Sequence, residues 1–174
     1  MSADELQDLV NDSDEVTGTI WRSEAFGRGV VHIRNVNAFV VDSRGRLWIP
    51  CRSLFKSRWP GAHDMGVAGA VAAGESYTEA LLREASEELN LDLKVLPWRE
   101  VGHFSPLTTS LCSSVLSSFQ RVYEIYTETA PLFNPDDYSG GEWMTPREVR
   151  RRVMSGEAAK DDLLTLLDLI YGAA

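Results

Sequence analysis

The chain has 174 residues, enough for one ordinary domain and too few for two. An apolar fraction of 44% supports a packed core and excludes a disordered tail. A formal net charge of -9 has the wrong sign for a polymeric nucleic-acid groove or an anionic membrane surface, so phosphate binding here needs a local basic cluster or a bound cation.

Residues 1–15 are polar and acidic, with a short helical hint at Leu6, Leu9 and Val10. They carry no basic start and no apolar core, so no signal peptide is expected. No apolar run in the chain is long enough to span a membrane, and the expected location is the cytoplasm. Strand patterning begins at Val30. Val36, Ala38 and Val40 alternate with Asn37, Phe39 and Val41, and Leu47 and Ile49 follow after Asp42-Ser43-Arg44-Gly45, which has the chemistry of a hairpin turn. Arg52 to Gly61 reads as a loop rich in Ser, Arg and Lys. Gly66 to Ala72 reads as a short buried strand of small residues.

A helix is predicted from Ser76, where Ser76-Tyr77-Thr78-Glu79 forms a capping box, to Asn90, one of the few non-glycine residues suited to a left-handed stop. Strands are expected near Val95–Val101 and Gln120–Tyr126, with a Ser/Thr-rich loop from Ser105 to Ser118 between them. Thr145-Pro146-Arg147-Glu148 opens another capped helix. A last helix carries Leu163, Leu164, Leu166, Leu167 and Ile170 and ends at Gly172. The sum is an α/β or α+β domain. Cys51 and Cys112 lie outside any C-x-x-C pattern and are expected to be reduced, buried thiols. His63 and His103 are isolated and read as ordinary polar histidines.

The segment from Gly69 to Leu91 carries the chemistry. With Glu84 at zero on a helical wheel of about 100° per residue, Glu87 falls about 60° to one side and Glu88 about 40° to the other. Leu82, Ala85 and Leu89 group on a neighbouring face, predicted to be the core side. Like charges at these spacings oppose each other by roughly 0.2–0.5 kcal/mol per pair. Glutamates on a helix usually mark only a solvated face, but a hard divalent cation would supply the missing counter-charge, and magnesium favours carboxylate oxygens together with substrate phosphates.

The run GAVAAGESYTEALLREASEELNL resembles the Nudix box, G-x5-E-x7-R-E-U-x-E-E-x-G-U with U a bulky aliphatic residue. It departs from that pattern at Asn90, in place of the last glycine, and at Ala85, a small version of an aliphatic position. Outside the box, VNDSDEVTGTIWRSEAF and VNAFVVDSRGRLWIPCRSLFKSRWPGAHDMGVAGAVAAGES resemble the Nudix branch related to isopentenyl diphosphate isomerase. The resemblance implies an α/β/α sandwich with a mixed sheet and a central loop–helix–loop. It implies one Nudix domain over residues 1–174, with the box at 69–91 and an N-terminal extension over about 1–29. Glu84, Glu87 and Glu88 match the metal-binding glutamates, the backbone carbonyl of Ala68 matches a further ligand, and Gly69, Glu75 and Arg83 match the structural support of the box. The implied cofactor is Mg2+, with Mn2+ as a substitute.

The implied activity is hydrolysis of a diphosphate linkage in a nucleoside di- or triphosphate or a related small nucleotide, by attack of an activated water on phosphorus. Candidate catalytic carboxylates are Glu84, Glu87 and Glu142, the last in a later loop from which such enzymes often borrow a base; a plain turn residue is an equal reading for Glu142. Arg52 and Lys56 are candidate substrate contacts, in the loop that also holds Arg58. Trp59 and Trp143 are candidates to stack on a base or sugar, though such residues more often pack. Many relatives dimerise, so a homodimer is among the expected partners. Two alternatives compete. An isomerase needs an acid–base cysteine where this chain has Ala68, and a second acid near Gln120 or Arg121. A regulatory nucleotide-binding module usually lacks one of the box carboxylates, all of which are present here.

Overall fold

The computed structural model describes residues 4–106 and 116–172. The predicted Ser105–Ser118 loop and Cys112 fall mostly outside these residues. The chain begins with a hairpin, β1 (Leu6–Val10) and β2 (Val16–Trp21), that leads directly into a short helix, α1 (Arg22–Arg28). The helical hint at Leu6–Val10 is therefore corrected to a strand. Gln7 and Asp8 are buried there alongside Val10, because the strand docks on the segment after β5 through a Gln7–Ala72 bridge and an Ala73 N–H to Leu6 carbonyl bond of 2.8 Å. Those tertiary bonds decide between conformations that five residues alone leave balanced.

The main sheet comprises β3 (Arg34–Val41), β4 (Leu47–Arg52), β5 (Val67–Ala70), β6 (Trp98–Phe104), β7 (Phe119–Tyr126) and β8 (Tyr138–Met144). Its order is β6-β7-β3-β4-β8, with β5 also paired to β3. β3 runs parallel to β7 along its whole length, from Arg34 opposite Phe119 to Val41 opposite Tyr126. Its other edge is shared: Asn35–Ala38 pair antiparallel with β5, and only Val40 and Val41 pair with β4. The sheet thus forks between β4 and β5. Gly66 lies at the fork, where an added Cβ would come within 2.9 Å of Val40 Cγ2 and 3.1 Å of the Ala38 carbonyl, so the crossing depends on a residue with no side chain. The 42–45 turn closes as predicted, by a Gly45 N–H to Asp42 carbonyl bond of 3.0 Å with Gly45 left-handed at φ 73°. β6 starts three residues later than predicted, because Val95 and Leu96 both donate to the Asp92 carbonyl in a turn, and Pro97 has no N–H to enter the ladder.

Helices cover both faces. α2 (Tyr77–Leu89) packs Ala80, Leu81, Ala85 and Leu89 on Val36, Ala38 and Val40. α3 (Pro146–Met154) and α4 (Asp162–Tyr171) cover the other face, where Val149, Leu163, Leu166 and Leu167 meet Phe39, Val41, Leu47 and Ile49. This is the α/β/α arrangement with a mixed sheet. The capping boxes at Ser76/Glu79 and Thr145/Glu148 and the left-handed stop at Asn90, φ 52°, form as the sequence predicts. Of the expected core side of α2, Ala85 and Leu89 are buried, but Leu82 is only partly buried and Leu81 takes its place. That shift has a consequence for the glutamates. Buried positions span an arc of the wheel from Ala80 through Tyr77, Leu81 and Ala85 to Leu89, and Glu84 and Glu88 lie within it, while Glu87 lies at its edge.

Candidate active site

A cleft of about 460 Å³ opens where the sheet forks. α2 contributes Arg83, Glu84, Glu87 and Glu88 to its wall, and β5 contributes Ala68, Gly69 and Ala70. Glu84 lies directly under Gly69: a Cβ there would be 2.1 Å from Glu84 Cδ and 2.2 Å from its Oε1. The spacing between glycine and glutamate therefore has a steric meaning, since the strand can cross the carboxylate only without a side chain.

Arg83 ties the box together. Its Nε donates to Glu75 Oε1 and its Nη2 to Glu75 Oε2, each at 2.9 Å, a bidentate pair. Nη2 also donates to the Ala70 carbonyl at 3.0 Å, and Nη1 reaches Glu84 Oε1 at 2.7 Å and Glu87 Oε2 at 3.5 Å. Glu75 in turn accepts from the Ala72 N–H at 3.0 Å. Burial pushes the Glu75 carboxyl upward, but the hydrogen bonds from Arg83 and Ala72 outweigh it and hold the group below its ordinary range.

Glu88 is the most perturbed carboxyl of the cleft. Its Oε2 accepts from the Ala68 N–H at 3.1 Å and the Tyr138 hydroxyl at 3.2 Å. Burial, followed by repulsion from Glu84 and more weakly from Asp64 and Asp137, nevertheless pushes its pKa up to about 8. Burial also raises Glu84, against the opposing pull of Arg83. Glu87 is exposed on the rim.

Basic groups line the opposite side. Arg52 Nη1 lies 2.5 Å from Asp64 Oδ2, and Lys160 Nζ lies 3.7 Å from Asp64 Oδ1, with Asp64 fully buried between them. Lys56 pairs with Asp137. Both predicted substrate contacts, Arg52 and Lys56, thus reach the cleft. Asp137 and Lys160 line it too, as do Arg22 and Phe26 of the N-terminal segment; none of these, nor Asp64 behind Arg52, was singled out from sequence. Separations of 12 and 96 residues between Asp64 and its partners Arg52 and Lys160 leave no periodic signal to read. The floor is polar: Asn37 Nδ2 donates to Gln120 Oε1 at 2.6 Å, and Gln120 Nε2 to Asp162 Oδ2 at 2.8 Å.

Glu142 is not brought to the cleft. It sits on β8 opposite Ile49 and forms a two-pronged ion pair with Arg152 of α3, exposed to solvent. Of the two expected readings, catalytic base or turn residue, the structure places Glu142 within β8 and outside the cleft, because the β8 register faces it to a surface partner. Trp143 also stays outside, packed edge-on against Trp48, whereas Trp59 lines the cleft. His63 and His103 pair with Glu157 and Asp14.

The donor set can be tested for a cation. Among the described residues no group of three or more His, Cys, Asp or Glu side chains is gathered around a single point, because Arg83 draws Glu84 and Glu87 toward itself. The charge balance nonetheless favours one. Carboxylates outnumber basic groups along the lining, and Arg52, Lys56, Arg83 and Lys160 are each already matched to an acid. A diphosphate would add negative charge that these groups do not offset. Glu84, Glu87 and Glu88, with the Ala68 carbonyl, are hard oxygen donors of the type that binds magnesium.

The NUDIX domain model matches residues 31–167. The chain belongs to the Nudix hydrolase family. It is 49% identical to a Nudix hydrolase of Deinococcus radiodurans over 97% of this chain and 95% of that one. A crystal structure of a D. radiodurans protein, 48% identical, superposes with a TM-score of 0.88 over 96% of this chain and 99% of that chain. An isopentenyl-diphosphate Delta-isomerase of Kocuria rhizophila is similar at 27% identity over 87% of this chain and 83% of that protein, in line with the branch resemblance seen in the sequence. Nudix hydrolases generally use divalent metal ions. β1, β2 and α1 precede the matched region, yet Glu5, Arg22 and Phe26 from that segment line the cleft of this Nudix hydrolase.

Proposed function

We propose that the chain is a magnesium-dependent hydrolase of nucleoside di- or triphosphates, acting from the cytoplasm through a single Nudix domain. The observation that carries this reading is the two-walled cleft, with Glu84 under Gly69 and Glu88 at the Ala68 N–H on one side and Arg52, Lys56 and Lys160 on the other. Glu84, Glu87, Glu88 and the Ala68 carbonyl would hold the cation, which when bound supplies charge neutralisation at the diphosphate and acidification of water. Arg52, Lys56 and Lys160 bind phosphate oxygens. Their acidic partners Asp64 and Asp137 keep the side chains extended into the cleft before substrate arrives, so little ordering is needed on binding. Glu84 takes the proton from the attacking water. Its burial raises its basicity, and Arg83 holds it in place. Glu75 and Arg83 act through the loop rather than on substrate.

Isomerase chemistry is disfavoured at the same position. Ala68 offers a methyl group where an acid–base thiol is required, and its cross-strand partner Asn37, hydrogen-bonded on to Gln120 and Asp162, makes that part of the cleft polar, a poor match to a hydrocarbon chain. The reading is tested by incubating the protein with a panel of nucleotides and nucleotide conjugates plus magnesium or manganese and identifying the bond broken. Turnover is expected to vanish with a chelator and return with either metal. Glu88→Gln keeps the shape and removes the charge, and is expected to lower turnover by roughly a thousandfold or more. Near-native turnover in that variant sinks the assignment.

A further inference from the structure

Across the mouth of the cleft, charged and aromatic groups alternate. The Arg58 guanidinium carbon lies over the Phe26 ring and over the Trp59 ring, 4.3 Å from each centroid. Arg22 lies over Phe26 at 5.6 Å and Arg52 over Trp59 at 6.0 Å, one step further out on either side. Phe26, Trp59, Arg22 and Arg52 line the cleft, while Arg58 sits between the two rings. A guanidinium is planar and delocalised and stacks on aromatic faces. Another flat π system can meet the same two rings in its place.

Trp59 is held for this placement. It has a left-handed backbone, φ 47°, although it is a bulky residue followed by Pro60, a context that disfavours such a conformation. Strain of this kind persists only where the surroundings over-determine it. Here the Trp59 carbonyl accepts from the Ala62 N–H at 3.3 Å, and its indole Nε1 donates to Asp161 Oδ1 at 3.0 Å. The first bond closes the backbone turn and the second fixes the ring. Phe26 is 45% exposed, a large apolar ring left open at the cleft instead of being packed into the small cluster of Ile20, Ala25 and Ile33 beneath its own helix.

We propose that Phe26 and Trp59 form a clamp for a planar nucleobase, with Arg58 occupying the slot until the base displaces it. The proposal rests on the nucleotide reading above and names where that nucleotide is recognised: by α1, ahead of the family-matched region, together with the loop after β4. The phosphates then extend inward past Arg52 toward Glu84 and Glu88. Because every base has a π face, such a clamp favours nucleotides over base-free diphosphates and discriminates weakly among bases.

The test compares ADP with ribose 5-diphosphate, which has the same phosphates and no base. Binding is measured by calorimetry with chelator present, and kcat and KM are measured with magnesium. The native chain is expected to bind ADP at least tenfold more tightly than ribose 5-diphosphate. Phe26→Leu keeps apolar bulk and loses the π face; with Trp59→Ala, it should weaken ADP binding and raise KM by roughly tenfold to a hundredfold, with ribose 5-diphosphate and kcat little changed. Phe26→Tyr should restore ADP binding, which separates stacking from a folding defect. Equal affinity for the two ligands in the native chain, or equal weakening of both in the variants, overturns the clamp. Absence of turnover for every compound, with the binding difference intact, would instead refute the hydrolase reading and leave the clamp standing.

Discussion

Gly69→Ala places a methyl group where the Glu84 carboxylate lies. The added Cβ would stand 2.1 Å from Glu84 Cδ, and ordinary contact begins at 3.4 Å, so the carboxylate must withdraw by about 1.3 Å. The backbone itself accepts alanine, since Gly69 lies on β5 outside the left-handed region. The atoms displaced are the far end of a side chain, so the fold should survive. Overpacking of this kind costs about 1–3 kcal/mol, or a fall in Tm of roughly 2–12 °C at this chain length. Catalysis should suffer more, because a shift of about 1 Å in a reacting group costs on the order of a hundredfold in rate. Thermal denaturation and steady-state turnover measure the two effects separately. Combining Gly69→Ala with Glu84→Ala removes the clash, so the stability losses should be sub-additive by about 1 kcal/mol or more while activity stays low. Turnover within threefold of native in Gly69→Ala, or fully additive stability losses in the pair, would refute the steric argument.

Other consequences follow from the same geometry. Glu75 and Arg83 share a bidentate, partly buried pair, so a double-mutant cycle on stability should return a coupling of about 1.5–3 kcal/mol, and additive losses would count against their role in bracing the loop. Burial pushes Glu124 upward, but hydrogen bonds from Tyr126, Arg99 and Tyr171 more than offset it, leaving the carboxyl below its ordinary range. A carboxyl depressed by folding contributes stability that is complete above its unfolded pKa of about 4.3 and lost as pH falls through the folded value. Urea titrations should therefore show the native chain losing more stability than Glu124→Gln as pH drops below about 4.3; parallel losses would show that Glu124 is not responsible. With Ala68 at the position of the isomerase thiol, the purified chain should not convert isopentenyl diphosphate to its isomer, and magnesium-dependent isomerisation abolished by Glu84→Gln would overturn the hydrolase reading.

Local chemistry settled much of this protein. The Ser76 and Thr145 capping boxes, the Asn90 stop and the Asp42–Gly45 turn each involve groups within a few residues, and such interactions are complete in the sequence itself. The periodicity of one helix likewise put Glu84, Glu87 and Glu88 on one side before any fold was known. Leu6–Val10 became a strand, by contrast, because it found a docking edge near Ala72 and Ala73, and five residues carry too weak a local preference to announce that. Glu142 followed the same logic in reverse. Its glycine-flanked loop looked available for catalysis, but the β4–β8 register faced it toward Arg152. The burial of Glu88 arises because its place on the wheel coincides with the sheet-facing arc, which extends past the expected Ala85 and Leu89 to Leu81, Tyr77 and Ala80. Lys160, Phe26 and Trp59 line one cleft only because the sheet forks there and the N-terminal segment brings α1 to its wall. Periodicity reports which residues share an element, and only long-range packing decides which elements share a site.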